Sequence, residues 1–195
     1  MLMRVYETPS WAREPRCREP DQFDYPPRSN AEFAEFVHQA ARHWRGRVAA
    51  YEIYNEPNLA DEWGGCDPDP VRYTSMLGGV YPRLKQADPD ALLVTSGLSN
   101  TGDGSVPGVC EGRVPVCGDL LYLQQMYTIG GGRMGTHWDA LGAHPYGGPN
   151  PPEAEPASHP PTGLYFRRME DMRNIINDFG GREPVPIWAT EMGWL

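Results

Sequence analysis

Apolar positions along the chain follow two spacings in turn. Five short runs are mostly apolar or aromatic: Leu2 to Tyr6, Val48 to Tyr54, Ala91 to Thr95, Asp139 to Ala143 and Val185 to Thr190. They read as strands. Between them apolar residues recur every three or four positions, the spacing of an amphipathic helix. The first stripe is Phe33, Phe36, Val37, Ala40, Ala41 and Trp44, opened by Ser29-Asn30-Ala31-Glu32 and closed by Gly46. A hydroxyl at the cap with a carboxylate three residues on is a capping-box pattern. The second stripe is Tyr73, Met76, Leu77, Val80, Tyr81 and Leu84, with Asp69 as cap and Pro70 in the first turn, where no amide hydrogen is needed. A third helix is expected around Asp119 to Ile129. A fourth carries Tyr165, Met169, Met172, Ile176 and Phe179 and stops at Gly180-Gly181.

The strands begin near positions 2, 48, 91, 139 and 185, at a nearly constant interval. Strands alternating with helices imply a parallel sheet with right-handed crossovers. The regular interval suits a (β/α) barrel or a doubly wound sheet. Loops after strands run long (Thr8 to Arg28, Asn55 to Asp69, Ser96 to Gly118, His144 to Thr162), while those after helices are short. In a barrel the site is built from the loops that follow strands. The fold class expected is therefore α/β: an incomplete (β/α)8 TIM barrel of about five parallel strands with intervening helices. Residues 1–195 are expected to form a single partial domain, as if cut from a larger barrel.

Composition narrows the function classes. The 195 residues carry 26 acidic against 17 basic side chains, a net charge of −9. That balance argues against a nucleic-acid partner, which needs clustered Lys and Arg. No apolar run approaches the roughly 20 residues that span a bilayer, so no membrane partner is expected. Cys17, Cys66, Cys110 and Cys117 all fall in expected loops and lack metal-site spacing. Their even number points to disulfides and an extracellular or periplasmic location, with four inert thiols in the cytoplasm as the alternative.

Two glutamates carry the candidate chemistry. Asn55-Glu56-Pro57 ends the second strand, and Glu191 ends the last, just before Gly193-Trp194. Glycoside hydrolysis uses two such carboxyl groups, one to protonate the leaving oxygen and one to attack or to activate water. The acid in such a pair must keep its proton near neutral pH, which desolvation or a neighbouring negative charge achieves. The Asn55-Glu56-Pro57 triplet and Trp188-Ala189-Thr190-Glu191-Met192-Gly193-Trp194 resemble the fourth- and seventh-strand motifs of clan A glycoside hydrolases, closest in flavour to families 5 and 39. The resemblance spans strands three to seven of that barrel. It implies a retaining hydrolase of β-linked saccharides, with Glu56 as acid/base, Glu191 as nucleophile and Asn55 as a donor to the sugar. His144-Pro145-Tyr146 resembles the sixth-strand segment, whose tyrosine hydrogen-bonds the nucleophile. Thr8-Pro9-Ser10-Trp11-Ala12 resembles the end of the third, where an aromatic residue borders the sugar. The expected substrate-binding residues are thus Asn55, His144, Tyr146, Trp11 and Trp194. The partner expected is a carbohydrate substrate. No metal or other cofactor is implied.

Blander roles compete. Glu52 shares a strand face with Glu56 but lies deeper, and is expected to form a structural ion pair. A structural hydrogen bond competes evenly with sugar contact for His144, and core packing competes for Trp11, Trp63 and Trp194. His38 and His43 are expected to be solvated. Gly130-Gly131-Gly132-Arg133-Met134-Gly135 matches a dinucleotide fingerprint but follows a helix instead of a strand, so it reads as a turn. The alternative to an enzyme is a catalytically inactive, carbohydrate-binding remnant of a truncated glycosidase.

Overall fold

The computed structural model describes residues 1–17, 24–101, 116–128, 137–155, 164–179 and 185–194. The five apolar runs form strands β1 (Leu2–Val5), β2 (Ala50–Ile53), β3 (Leu92–Thr95), β5 (Leu141–His144) and β6 (Ile187–Ala189). A two-residue strand, β4 (Leu98–Ser99), continues the line of β3 beyond a break at Ser96-Gly97. Helices α1 (Asn30–His43), α2 (Pro70–Ala87), α3 (Asp119–Thr128) and α4 (Arg168–Phe179) fall between the strands. The glycine triplet after α3, the closing glycines of α4 and Cys110 lie outside the described residues.

The starts of α1 and α2 are set by the residues that the sequence marks. Ser29 Oγ accepts the amide of Glu32 at 3.2 Å, and Asp69 Oδ1 accepts the amide of Arg72 at 2.8 Å. Each satisfies one of the amides that a first turn leaves unpaired. Tyr165, expected within α4, instead precedes it; its hydroxyl donates to Asp171 at 2.5 Å.

All strand pairings are parallel, in two three-stranded sheets ordered β1-β2-β3 and β4-β5-β6. A parallel bridge between Val94 and Ala140 links them. Spatial order follows chain order, with no point where the winding reverses. That order is consistent with part of a barrel, since a doubly wound sheet needs a reversal and a barrel does not. The described residues form an open arc and not a closed barrel. The arc still curls, because Thr190 Oγ1, just past β6, donates to Glu52 Oε1 on β2 at 2.7 Å.

Alternation along the strands sorts residues to two faces. Tyr51 and Ile53 of β2 face the helices and join the main core with Val37, Ala41, Leu77, Val80 and Leu84. The concave face holds a smaller apolar layer of Ala50, Val94 and Ala140, with Leu92 and Trp188 against it. The buried side of α1 is Ala34, Val37, His38 and Ala41, so the stripe is rotated from the expected one. Phe36 is turned outward, 60% exposed. His38, expected in solvent, is buried against α2, where its Nδ1 lies 2.9 Å from the carbonyl of Arg83. His43 is exposed.

One disulfide, Cys17–Cys66, ties the loop after β1 to the loop after β2. Cys117 is also disulfide-bonded. Between α3 and α4, Arg168 grips Asp119 through two parallel bonds of 2.9 and 2.8 Å, with both side chains almost wholly buried. Asp119→Ala strands the buried guanidinium and is expected to cost about 3–5 kcal/mol of stability, measured by urea unfolding. A loss below 1 kcal/mol would show that water reaches Arg168.

Candidate active site

The site lies at the carboxyl ends of the strands. Its base is Arg4 on β1, whose register partner across the sheet is Glu52. Arg4 Nε donates to Glu52 Oε2 at 2.9 Å, and Nη1 donates to Asn55 Oδ1 at 2.8 Å and to Glu191 Oε1. Its Nη2 lies 3.3 Å from His144 Nε2. Glu52 is buried and also accepts the amide of Gly97 at 3.1 Å. Its structural ion pair is the expected one. Arg4 itself was not anticipated, although a lone cation in a short apolar strand is a signal that sequence offers.

A guanidinium only donates, so Nε2 of His144 must accept. The neutral imidazole then carries its proton on Nδ1, which donates to Glu56 Oε1 at 2.8 Å. His144 is completely buried, which leaves it no surface for a sugar. It stands beneath the carboxyl groups and orients Glu56. The imidazole fits because residue 97 is glycine: a Cβ there would lie 2.1 Å from His144 Cδ2.

Glu56 follows a strained turn. Tyr54 and Glu56 both have positive φ, 69° and 35°, in the left-handed region that non-glycine residues rarely occupy. Such strain persists only where surroundings over-determine it, and it concentrates at functional sites. The Tyr54 side chain supplies the anchor here: its hydroxyl contacts Thr8 Oγ1 and donates to the Tyr25 carbonyl, each at 2.6 Å.

Glu191 receives Arg4 on one oxygen and the Tyr146 hydroxyl on the other at 3.0 Å. Partial burial pushes its carboxyl up, but the bond from Arg4, the nearby His144 and the bond from Tyr146 together outweigh this and hold it below its ordinary value. The Tyr146 hydroxyl is pushed up in turn, first by that same bond and then by burial. Glu56, His144 and Glu191 bring one ligating atom each within 4.8 Å of one another. The set has the spacing of a metal site, yet Arg4 already contacts two of its three members and competes with a cation. The two glutamates, 135 positions apart in sequence, therefore share one small volume.

Above them opens a cavity of about 810 Å³ lined by Asn55, Glu56, Glu62, Tyr146, Glu191 and Trp194, among others. Trp194 stands on its rim against Phe166, ring centroids 5.6 Å apart. Gly147 permits this, since a Cβ there would lie 2.0 Å from the indole nitrogen. Trp11 is not part of the cavity. It is 72% exposed and borders a separate apolar groove with Tyr6, Phe33 and Phe36, because the loop after β1 turns away from the strand ends. Trp63 is core. Glu62, which lines the cavity and accepts from Asn55 Nδ2 at 3.0 Å, was missed in the sequence.

No protein-family profile matches the chain, and no curated protein does. Solved structures do. A family 39 glycoside hydrolase from the gut symbiont Bacteroides cellulosilyticus WH2 superposes with a TM-score of 0.59 at 24% identity, over 92% of this chain and 33% of its own. The corresponding values for a monomeric β-xylosidase from Caulobacter crescentus CB15 are 0.58, 15%, 98% and 37%. For a glucosidase from Croceicoccus marinus they are 0.51, 18%, 87% and 31%. The chain shares part of its fold with these three solved structures. It spans about a third of the length of these glycosidases.

Two outcomes are expected at this site. Arg4→Gln removes the cation facing buried Glu52 and is expected to cost about 3–5 kcal/mol in urea unfolding. It also raises the titration midpoint of Glu191, read by NMR of the side-chain carboxyl carbon; an unmoved midpoint would remove Arg4 from the account. In the unaltered chain Glu191 is held below its ordinary value. Its contribution to stability is therefore complete above that value and is lost as pH falls through the folded midpoint. Urea unfolding of the chain and of Glu191→Gln across the acid range measures the difference, which is expected to shrink as pH falls.

Proposed function

We propose that this protein hydrolyses O-glycosidic bonds in β-linked saccharides or glycosides with retention, using Glu56 as acid/base and Glu191 as nucleophile. The observation that carries this reading is the approach of the two carboxyl groups to within 4.8 Å, oxygen to oxygen, at the floor of a sugar-sized cavity. Retaining enzymes hold their carboxyl groups about 5–5.5 Å apart, whereas inverting ones leave about 6.5–9.5 Å for a water.

The surroundings of Glu191 suit the nucleophile, and Glu56 takes the other role in this scheme. Glu191, held below its ordinary value by Arg4 and Tyr146, is kept as the carboxylate that attacks the anomeric carbon. Glu56 Oε1 is engaged by His144, which leaves Oε2 to carry the proton for the leaving oxygen. Once that bond breaks, sugar and Glu191 are joined covalently. Glu56, now a carboxylate, takes a proton from water as its oxygen attacks the same carbon, and Glu191 departs. Asn55, Tyr146 and Trp194, which line the cavity, hold the sugar in this scheme, with the indole as a stacking face. Two carboxyl groups and a water suffice, so the scheme needs no cofactor. The Cys17–Cys66 disulfide supports export to an oxidising compartment.

Aryl β-glycosides test the proposal. Glu191→Gln is expected to abolish turnover, and Glu56→Gln to reduce it by roughly 10²–10⁴-fold, least for the best leaving groups. NMR of the first-formed product is expected to show the β anomer. Undiminished hydrolysis by Glu191→Gln, or an inverted product, would sink this assignment.

A further inference from the structure

The proposed chemistry uses two carboxyl groups, yet three of the described residues that line the cavity bear one. Glu62, on the short 3₁₀ helix Asp61–Trp63 after β2, is the surplus one. Its position is built. Trp63 beside it is 1% exposed, and the next residue, Gly64, has φ 66° and packs so closely on Tyr25 that a Cβ would lie 2.9 Å from the ring. Cys66, two residues further on, is fixed by its disulfide to Cys17. Glu62 Oε2 accepts from Asn55 Nδ2, while Asn55 Oδ1 accepts from Arg4. The amide of Asn55 is thereby clamped on both sides.

Positive charge is scarce around this surplus. Among the described residues that line the cavity there is no Lys, Arg or His. The nearby guanidinium of Arg4 is committed to Glu52 and Glu191, two carboxylates against one cation. Behind Glu62 the field is negative enough to be registered by a neighbour: the Asp24 carboxyl is pushed up to about 6, first by burial and then by Glu62 and Glu7.

Resting on the hydrolase reading above, we infer that this cavity sorts glycosides by charge, admitting neutral sugars and turning away those that bear a carboxylate, with Glu62 as the residue that sets the preference. A hydroxyl entering the cavity finds carboxylate acceptors, which make strong charge-assisted bonds. Among the described lining residues a uronate finds like charge and no free cation to pair with. At the low effective dielectric of a cleft, one like charge a few ångströms away is enough for about a tenfold or larger penalty.

The test compares the chain with Glu62→Gln, which keeps an oxygen for Asn55 but removes the charge. Substrates are the p-nitrophenyl β-xyloside, β-glucoside and β-glucuronide. Methyl β-glucoside and methyl β-glucuronide serve as ligands in calorimetry. The ratio of kcat/KM for glucoside over glucuronide is expected to fall about tenfold in Glu62→Gln. In the unaltered chain the ratio is expected to fall as salt rises from about 50 to about 500 mM, as screening weakens the repulsion. Calorimetry is expected to show the same neutral-over-anionic preference without turnover. If no substrate is cleaved but that preference and its dependence on Glu62 persist, the hydrolase reading falls and charge sorting stands. Equal handling of both sugars, a ratio indifferent to Glu62→Gln and to salt, or binding of neither ligand overturns the inference.

Discussion

A single guanidinium holds the site together. Arg4 is half-buried, and its donors reach Glu52 on the neighbouring strand, Asn55 and His144 at strand ends, and Glu191 on the far end of the arc. Each of these groups would be costly without it. Glu52 would be a buried carboxylate with no counter-charge. His144 would lose the partner that fixes its tautomer. Glu191 would lose its strongest reason to stay ionised. The arginine thus ties the first strand to the last in sequence, and makes the curvature of an open sheet an electrostatic matter as much as one of twist.

The strand ends form one connected network because each glutamate is oriented by a group that is itself oriented. Arg4 sets the tautomer of His144, and His144 then offers its single proton to Glu56. Arg4 and Tyr146 between them occupy both oxygens of Glu191. The positive φ values at Tyr54 and Glu56 add a backbone constraint to the polar one. Buried polar groups are worth having only when fully satisfied, and here the satisfied state leaves the two carboxyl groups facing the same small volume from opposite ends of the arc.

Much of this was legible in the sequence for a local reason. Strands and helices announce themselves by periodicity and caps, as Ser29 and Asp69 do, and Asn55-Glu56-Pro57 and Glu191 sit where apolar runs end. What was not legible depends on neighbours that are distant along the chain. The buried side of α1 is chosen by α2, which offers the carbonyl of Arg83 to His38; no spacing rule within α1 contains that carbonyl. The loop after β1 turns Trp11 toward a separate groove, beside Phe36 of α1, although a motif alone points Trp11 at the sugar. Arg4 and Glu52 lie 48 residues apart and meet only through strand register. Glu62 looks like any acid in a loop until Asn55 is seen to donate to it.

The Cys17–Cys66 crosslink bears on how such a chain is made. Both of its sulfurs precede β3, so it joins two segments that leave the ribosome ahead of Glu191. It fastens the loop that carries Glu62 to the loop after β1 through a covalent link that depends on no residue beyond position 66.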